Sequence, residues 1–211
     1  LNLRESCIRF LEEECLPDGD SAHDIAHFQR VVKTALELSG IEDADTEIVE
    51  ASAWLHDCVT LPKNHPERKR ASELAAEKAR GFLKGTEFPF DKIPAVQHAI
   101  KSHSYSAGIK PETIEAKIVQ DADRLDALGA IGIARCFIVG GKLGHSIYNP
   151  SDPFCDLRQP DDSLWSIDHF YRKLFRLPDD MNTESAREKA LERIAYMKAY
   201  LDELKNEISS P

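Results

Sequence analysis

The stretch His23-Asp24-Ile25-Ala26-His27-Phe28-Gln29-Arg30-Val31-Val32-Lys33-Thr34-Ala35-Leu36 decides the fold. Its apolar residues Ile25, Phe28, Val31, Val32, Ala35 and Leu36 recur three and four apart, the period of a helix with one buried face. The same spacing returns along most of the chain, for example at Leu191, Ile194, Ala195, Met197 and Leu201, and strand alternation is hard to find. Helices are predicted near residues 2–15, 22–39, 45–59, 67–84, 92–103, 111–139 with a break, 163–176 and 184–208. This pattern is an all-α helical bundle. Pro17-Asp18-Gly19 and Ser39-Gly40 flank the second helix, and Pro62, Pro66, Pro89 and Pro94 separate later ones. The longest irregular stretch, Gly140 to about Asp162, carries Gly140-Gly141, Gly144, Pro150, Pro153 and Pro160 and is read as a lid or cleft-edge loop.

A chain of 211 residues suits a single domain over 1–211 with a large core. No apolar run approaches the roughly 20 residues of a membrane span, so no membrane role is expected. Leu1 to Cys15 lacks the zones of a secretory signal, which points to the cytoplasm. Cys7, Cys15, Cys58, Cys136 and Cys155 form an odd set without a Cys-x-x-Cys pair and read as reduced thiols. The formal net charge of −10 disfavours a nucleic-acid or anionic-lipid partner, because both need a basic surface. A small anionic ligand stays compatible, since a bound cation can reverse the field within one cleft.

Three segments concentrate chemistry. His23 and His27, four apart, share a helix face; such a pair can ligate a metal or simply be polar surface at a helix start. Ala53-Trp54-Leu55-His56-Asp57-Cys58 places an ionisable pair behind an apolar helix, where a carboxylate needs a hydrogen bond, a counter-charge or a cation. Ile118-Val119-Gln120-Asp121-Ala122-Asp123-Arg124-Leu125-Asp126 sets three carboxylates into another apolar helix. Asp123 and Asp126 can share a face, whereas Asp121 points elsewhere and suits orienting a ligand or capping. Imidazoles and carboxylates from three helices make a mixed nitrogen and oxygen site for one divalent ion among manganese, magnesium, iron, cobalt, nickel and zinc.

The order His, then His-Asp, then Ala-Asp-Arg-Leu resembles the HD-domain phosphohydrolases. The resemblance implies His27, His56, Asp57 and Asp123 as metal ligands, with His27 preferred to His23 because His27-Phe28-Gln29-Arg30-Val31 matches the family's His-x-x-Arg-Val pattern. It implies a metal core over about residues 20–130, with the helices of 163–208 packing on it. Lys63-Asn64-His65-Pro66, His103-Ser104-Tyr105-Ser106-Ala107-Gly108 and Asp168-His169-Phe170-Tyr171-Arg172-Lys173-Leu174 look like a bacterial subgroup of small predicted HD hydrolases, extending the similarity over nearly the whole chain. The implied activity is hydrolysis of a phosphoester or phosphoanhydride in a small phosphorylated substrate, with a nucleotide favoured by family analogy.

Four protein ligands leave room for water and substrate only on a five- or six-coordinate ion, which favours manganese or magnesium over closed tetrahedral zinc. Asp57 is both ligand and catalytic candidate. Asp24 is expected to orient water or a ligand histidine, with helix capping as the alternative. His103 is expected to bind phosphate or protonate the leaving oxygen; His98, five residues earlier, faces another way. Arg124 is a candidate catalytic cation, and Lys63, Lys101, Lys173 and His169 are candidates for holding substrate. Trp54, Tyr105 and Tyr148 could stack on a base or serve as core. The competing readings are a silent metal and nucleotide sensor and a dinuclear phosphodiesterase or oxygenase. Monomer and homodimer are both compatible with the sequence.

Overall fold

The computed structural model describes residues 2–15, 25–61, 65–104 and 107–208. Among these the protein is all-α: α1 (Leu3–Glu14), α2 (Ile25–Ile41), α3 (Thr46–Leu55), α4 (Ala71–Lys84), α5 (Ile93–His103), α6 (Ile114–Asp126), α7 (Gly129–Lys142), α8 (Asp168–Arg172) and α9 (Glu184–Ile208), with short 3-10 turns between. No strand forms among the described residues beyond an isolated bridge between Ser146 and Trp165. None of the described helices is long and apolar enough to cross a membrane.

The chain divides into two compact units, Leu1–Asp123 and Arg124–Pro211. In the first, α3 is the central helix and packs against α1, α2, α4 and α5. Its sequence explains the position: Ile48, Val49, Ala51, Ala53, Trp54 and Leu55 are all buried, too wide an apolar arc for a surface helix. Asp45 starts α3 by accepting the Glu47 and Ile48 amides at 3.1 and 3.3 Å. Lys92 clamps that corner, its Nζ 2.6 Å from both Asp45 and Glu47. The helix stops at Leu55, earlier than residue 59, so His56, Asp57 and Cys58 lie on the turn that follows it.

Two hydrogen bonds fix α6 within this unit. Glu115 Oε1 accepts the Asp45 amide at 3.3 Å, and the buried Gln120 amide donates to Ser102 O at 2.7 Å. The second ties the helix of Asp123 to the turn of α5 that carries His103.

In the second unit α9 packs against α7 and against the 3-10 segment Leu174–Asp180. Its buried stripe is Ala186, Ala190, Ile194, Met197 and Leu201. Leu191, predicted on that face, is half exposed, because it lies about 100° around the helix from Ala190. The predicted break in 111–139 falls after Asp126, where Gly129 adopts φ +73°, a left-handed conformation that suits glycine. Gly140-Gly141 lies inside α7, which runs on to Lys142, so the irregular segment begins later than expected. Gly140 packs against Ser166: a Cβ there would stand 2.1 Å from Ser166 Oγ. The segment after α7 is tied internally. Ser146 and Ile147 pair with Leu164, Ser166 and Ile167 through backbone hydrogen bonds, and both guanidinium NH groups of Arg158 meet the buried Asp168 carboxylate.

Candidate metal centre

α2, the turn after α3, α5 and α6 each deliver part of one cluster. His27 and Phe28 lie on the buried face of α2, and the Phe28 ring sits 5.3 Å from the His56 ring, centroid to centroid. The His27 and His56 rings are 5.4 Å apart, and those of His56 and His103 5.0 Å. Asp123 Oδ1 lies 3.6 Å from His27 Nε2 and 3.8 Å from His56 Nε2. Asp57 presents its two oxygens to different rings, Oδ2 at 3.9 Å from His56 Nε2 and Oδ1 at 3.2 Å from His103 Nε2.

Hydrogen bonds outside the cluster set the imidazole protons. His56 Nδ1 is 2.9 Å from Ala53 O and His103 Nδ1 is 2.7 Å from Ile100 O. A carbonyl can only accept, so each Nδ1 carries a proton, and the Nε2 of neutral His56 turns a lone pair toward the two aspartates. This Nε2 is buried and has no hydrogen-bond partner. Burial, the largest influence, lowers the His56 pKa to about 4, although Asp57 opposes it; the ring is a neutral donor at neutral pH. His103 behaves oppositely. Burial disfavours its charge, but the hydrogen bond and field of Asp57, with Asp123 adding to them, outweigh burial and raise it to about 9.

These donors fit a divalent cation. Ligand atoms about 2.1 Å from one ion are separated by about 3.0 Å when adjacent and about 4.2 Å when opposite. The distances of 3.2 to 3.9 Å within the cluster lie between those limits. Two sets of three donors fall within 4.8 Å of one another, His27, His56 and Asp57, and His56, His103 and Asp123. The imidazoles are buried while the carboxylates are partly open, 24% exposed at Asp57 and 31% at Asp123. The nitrogen side is therefore closed, and the carboxylate side is open to solvent.

The remaining candidate residues have the following surroundings. Asp24, Lys63, His23 and Tyr105 lie outside the described residues. Lys101 is half-buried in the last turn of α5, and its carbonyl accepts the Ser72 hydroxyl at 3.0 Å. Arg124 donates from its guanidinium to Asp180 O. His169 Nδ1 lies 2.8 Å from Asp162, whose other oxygen meets Arg172, and Lys173 is exposed. His98 Nε2 accepts the Glu112 amide at 3.0 Å, so it and His103 do different work. Asp121 is fully buried in α6, and Asp126 is ion-paired to Arg135 of α7. Gln120 escaped the reading of the sequence. Its only signal was a polar residue one helical turn before Asp123 in an otherwise apolar run.

An all-helical scaffold that converges His, His-Asp and Asp from separate segments on one buried spot defines a metal-dependent hydrolase of the HD type. The HD domain family profile matches residues 24–128. YpgQ of Bacillus subtilis is 36% identical over 205 residues, covering 95% of this chain and 92% of that protein. The crystal structure of YpgQ in complex with ADP superposes with a TM-score of 0.74 at 33% identity, covering 98% of both chains. A crystal structure of an HD-superfamily hydrolase from Bacillus thuringiensis gives a TM-score of 0.74 at 36% identity over 98% of this chain and 97% of that one. The chain belongs to the HD-domain family.

Proposed function

We propose that this hydrolase cleaves a phosphoester or phosphoanhydride bond in a small phosphorylated substrate, a nucleotide by preference, with one divalent cation held by His27, His56, Asp57 and Asp123. The observation that carries the proposal is the buried His56 Nε2, aimed without a hydrogen-bond partner at the space between two carboxylates. The ADP bound by YpgQ supports the nucleotide. Manganese or magnesium suits the site, because the partly open carboxylate side leaves positions for water and substrate. The cation, when bound, brings the pKa of a water toward neutrality and polarises a phosphoryl oxygen.

The protein supplies orientation and charge. Ala53 O fixes the His56 ring and Ile100 O the His103 ring, so neither must reorganise during reaction. His103 Nε2, 3.2 Å from Asp57 Oδ1, is the proposed group to hold a phosphoryl oxygen or protonate the leaving oxygen. Lys63, Lys101, Lys173 and His169 are the proposed holders of the substrate's remaining charge, with Arg124 beside Asp123 and Asp24 orienting water.

The proposal is tested by supplying metal-stripped protein separately with manganese, magnesium, cobalt, nickel and zinc, and assaying nucleotides and generic phosphoesters beside Asp57→Ala. Metal-dependent turnover lost in Asp57→Ala supports it. Metal binding without turnover of any substrate would instead favour a sensor.

A further inference from the structure

The residues of α7 that are exposed before Lys142 are Ala130, Ile131, Ala134, Ile138 and Gly141, and none of them is polar. Successive residues of a helix turn by about 100°, so these five share an arc of about 100° that runs the length of α7. Ile131 is 39% exposed and Ile138 45%. The opposite face is used inside the unit: Gly132, Ile133 and Gly140 are buried, and α7 packs against α9. Arg135, the one charged residue from Gly129 to Gly141, is drawn into an ion pair with the buried Asp126. Beyond the helix Leu143 and Ile147 are also more than half exposed. In a chain whose residues are 30% charged, a helix face without an exposed polar group marks a surface of association.

The sizes along the stripe select the occupant. They run Ile131, Ala134, Ile138, Gly141, large and small in alternation. A second α7 laid antiparallel reverses that order, so Ile131 of each copy meets Gly141 of the other, and Ile138 meets Ala134. Each isoleucine then has a hollow to enter, and at Gly141 a Cβ would meet nothing within 4 Å. Parallel helices would set isoleucine on isoleucine and leave gaps between the small residues. The antiparallel pair is what a two-fold axis across the middle of α7 produces, since one patch then serves both partners. Charge points the same way. A copy with a net charge of −10 repels its twin, and approach is least opposed where neither brings a charge. Antiparallel helices also set each N-terminal end beside the other's C-terminal end. With 14 residues α7 is about 21 Å long, and two such helices with their flanks bury on the order of 1,000 Å², the lower end for a specific dimer.

We propose that α7 is the interface of a two-fold homodimer of this chain, with a dissociation constant on the order of micromolar and a register that sets Ile131 on Gly141 and Ile138 on Ala134. The proposal stands apart from the metal-site reading, because every residue it uses lies in the second unit.

Sedimentation velocity of the full chain from about 1 to 300 µM tests it. Wild type should move from the monomer mass of 23.7 kDa toward twice that value. Ala134→Lys and Ile138→Glu each place a charge in the seam and should each weaken association at least about tenfold. Both positions are exposed in the single copy, so thermal midpoints of the dilute variants should stay near wild type. An equimolar mixture of the two variants should recover the dimer, because the lysine introduced at position 134 of one copy then faces the glutamate introduced at position 138 of the other. A wild type that stays monomeric throughout this range, or dimerisation that either variant leaves intact, would overturn the interface. Two monomeric variants that form no dimer when mixed would overturn the antiparallel register.

Discussion

Nε2 of His103 stands 3.2 Å from Oδ1 of Asp57, while Nδ1 of the same ring is committed to Ile100 O at 2.7 Å. In metal-stripped protein two facing lone pairs at that distance would repel, so there the Asp57 contact is made by a proton and His103 is an imidazolium.

Metal-stripped protein should therefore lose stability as pH rises from about 6.5 to about 9. His103 has a folded pKa raised to about 9 from an ordinary 6.5, so its contribution is complete below 6.5 and is lost as pH climbs through 9. A rise of this size corresponds to on the order of 3 kcal/mol. Thermal midpoints of metal-stripped wild type and His103→Gln across this interval check it: the gap in favour of wild type should shrink with pH. A constant or widening gap would refute a charged His103.

Gln120→Met keeps the volume and removes the donor that reaches Ser102 O at 2.7 Å. Leaving this buried carbonyl without its donor should cost about 1 to 3 kcal/mol. The same change loosens α6 against α5 and should weaken manganese binding. Urea unfolding and metal titration of the one variant measure both effects.

Glycine-to-alanine changes should have opposite signs at two helical sites. Gly81 lies exposed in α4 with open space around its missing Cβ, so Gly81→Ala should stabilise by about 0.5 to 1 kcal/mol through helix propensity. At Gly132 in α7 a Cβ would stand 2.2 Å from Ala127 O, and backbone must move to admit it. Gly132→Ala should destabilise in spite of its better propensity, as melting curves of the pair would show.

Arg158→Met should be among the most damaging changes in the second unit. Asp168 is fully buried and accepts both guanidinium NH groups and the Asp161 amide at 2.6 Å. Stranding that carboxylate should cost about 3 to 5 kcal/mol, read from the denaturation midpoint.

Helical periodicity made α2, α5 and α9 legible, because each buries a stripe recurring at three and four residues. The gathering of His27, His56, Asp57 and Asp123 in one cluster was legible for another reason: ionisable residues within or directly after apolar helices demand partners, and their order along the chain matches one family. Asp126 could not be told from Asp123 by spacing, since its partner Arg135 comes from the next helix. Gly140-Gly141 read as a helix breaker because the close approach of Ser166 is a tertiary fact. Arg124 shows the same limit for cations, its guanidinium reaching Asp180 O, 56 residues away in sequence.

The position of the cation is the most direct test of the account. Crystals soaked in manganese, with anomalous scattering recorded at the manganese edge, should show a single peak about 2.0 to 2.3 Å from His27, His56, Asp57 and Asp123. A peak away from these four residues, or two peaks of equal height bridged by the aspartates, would contradict a single-cation hydrolase.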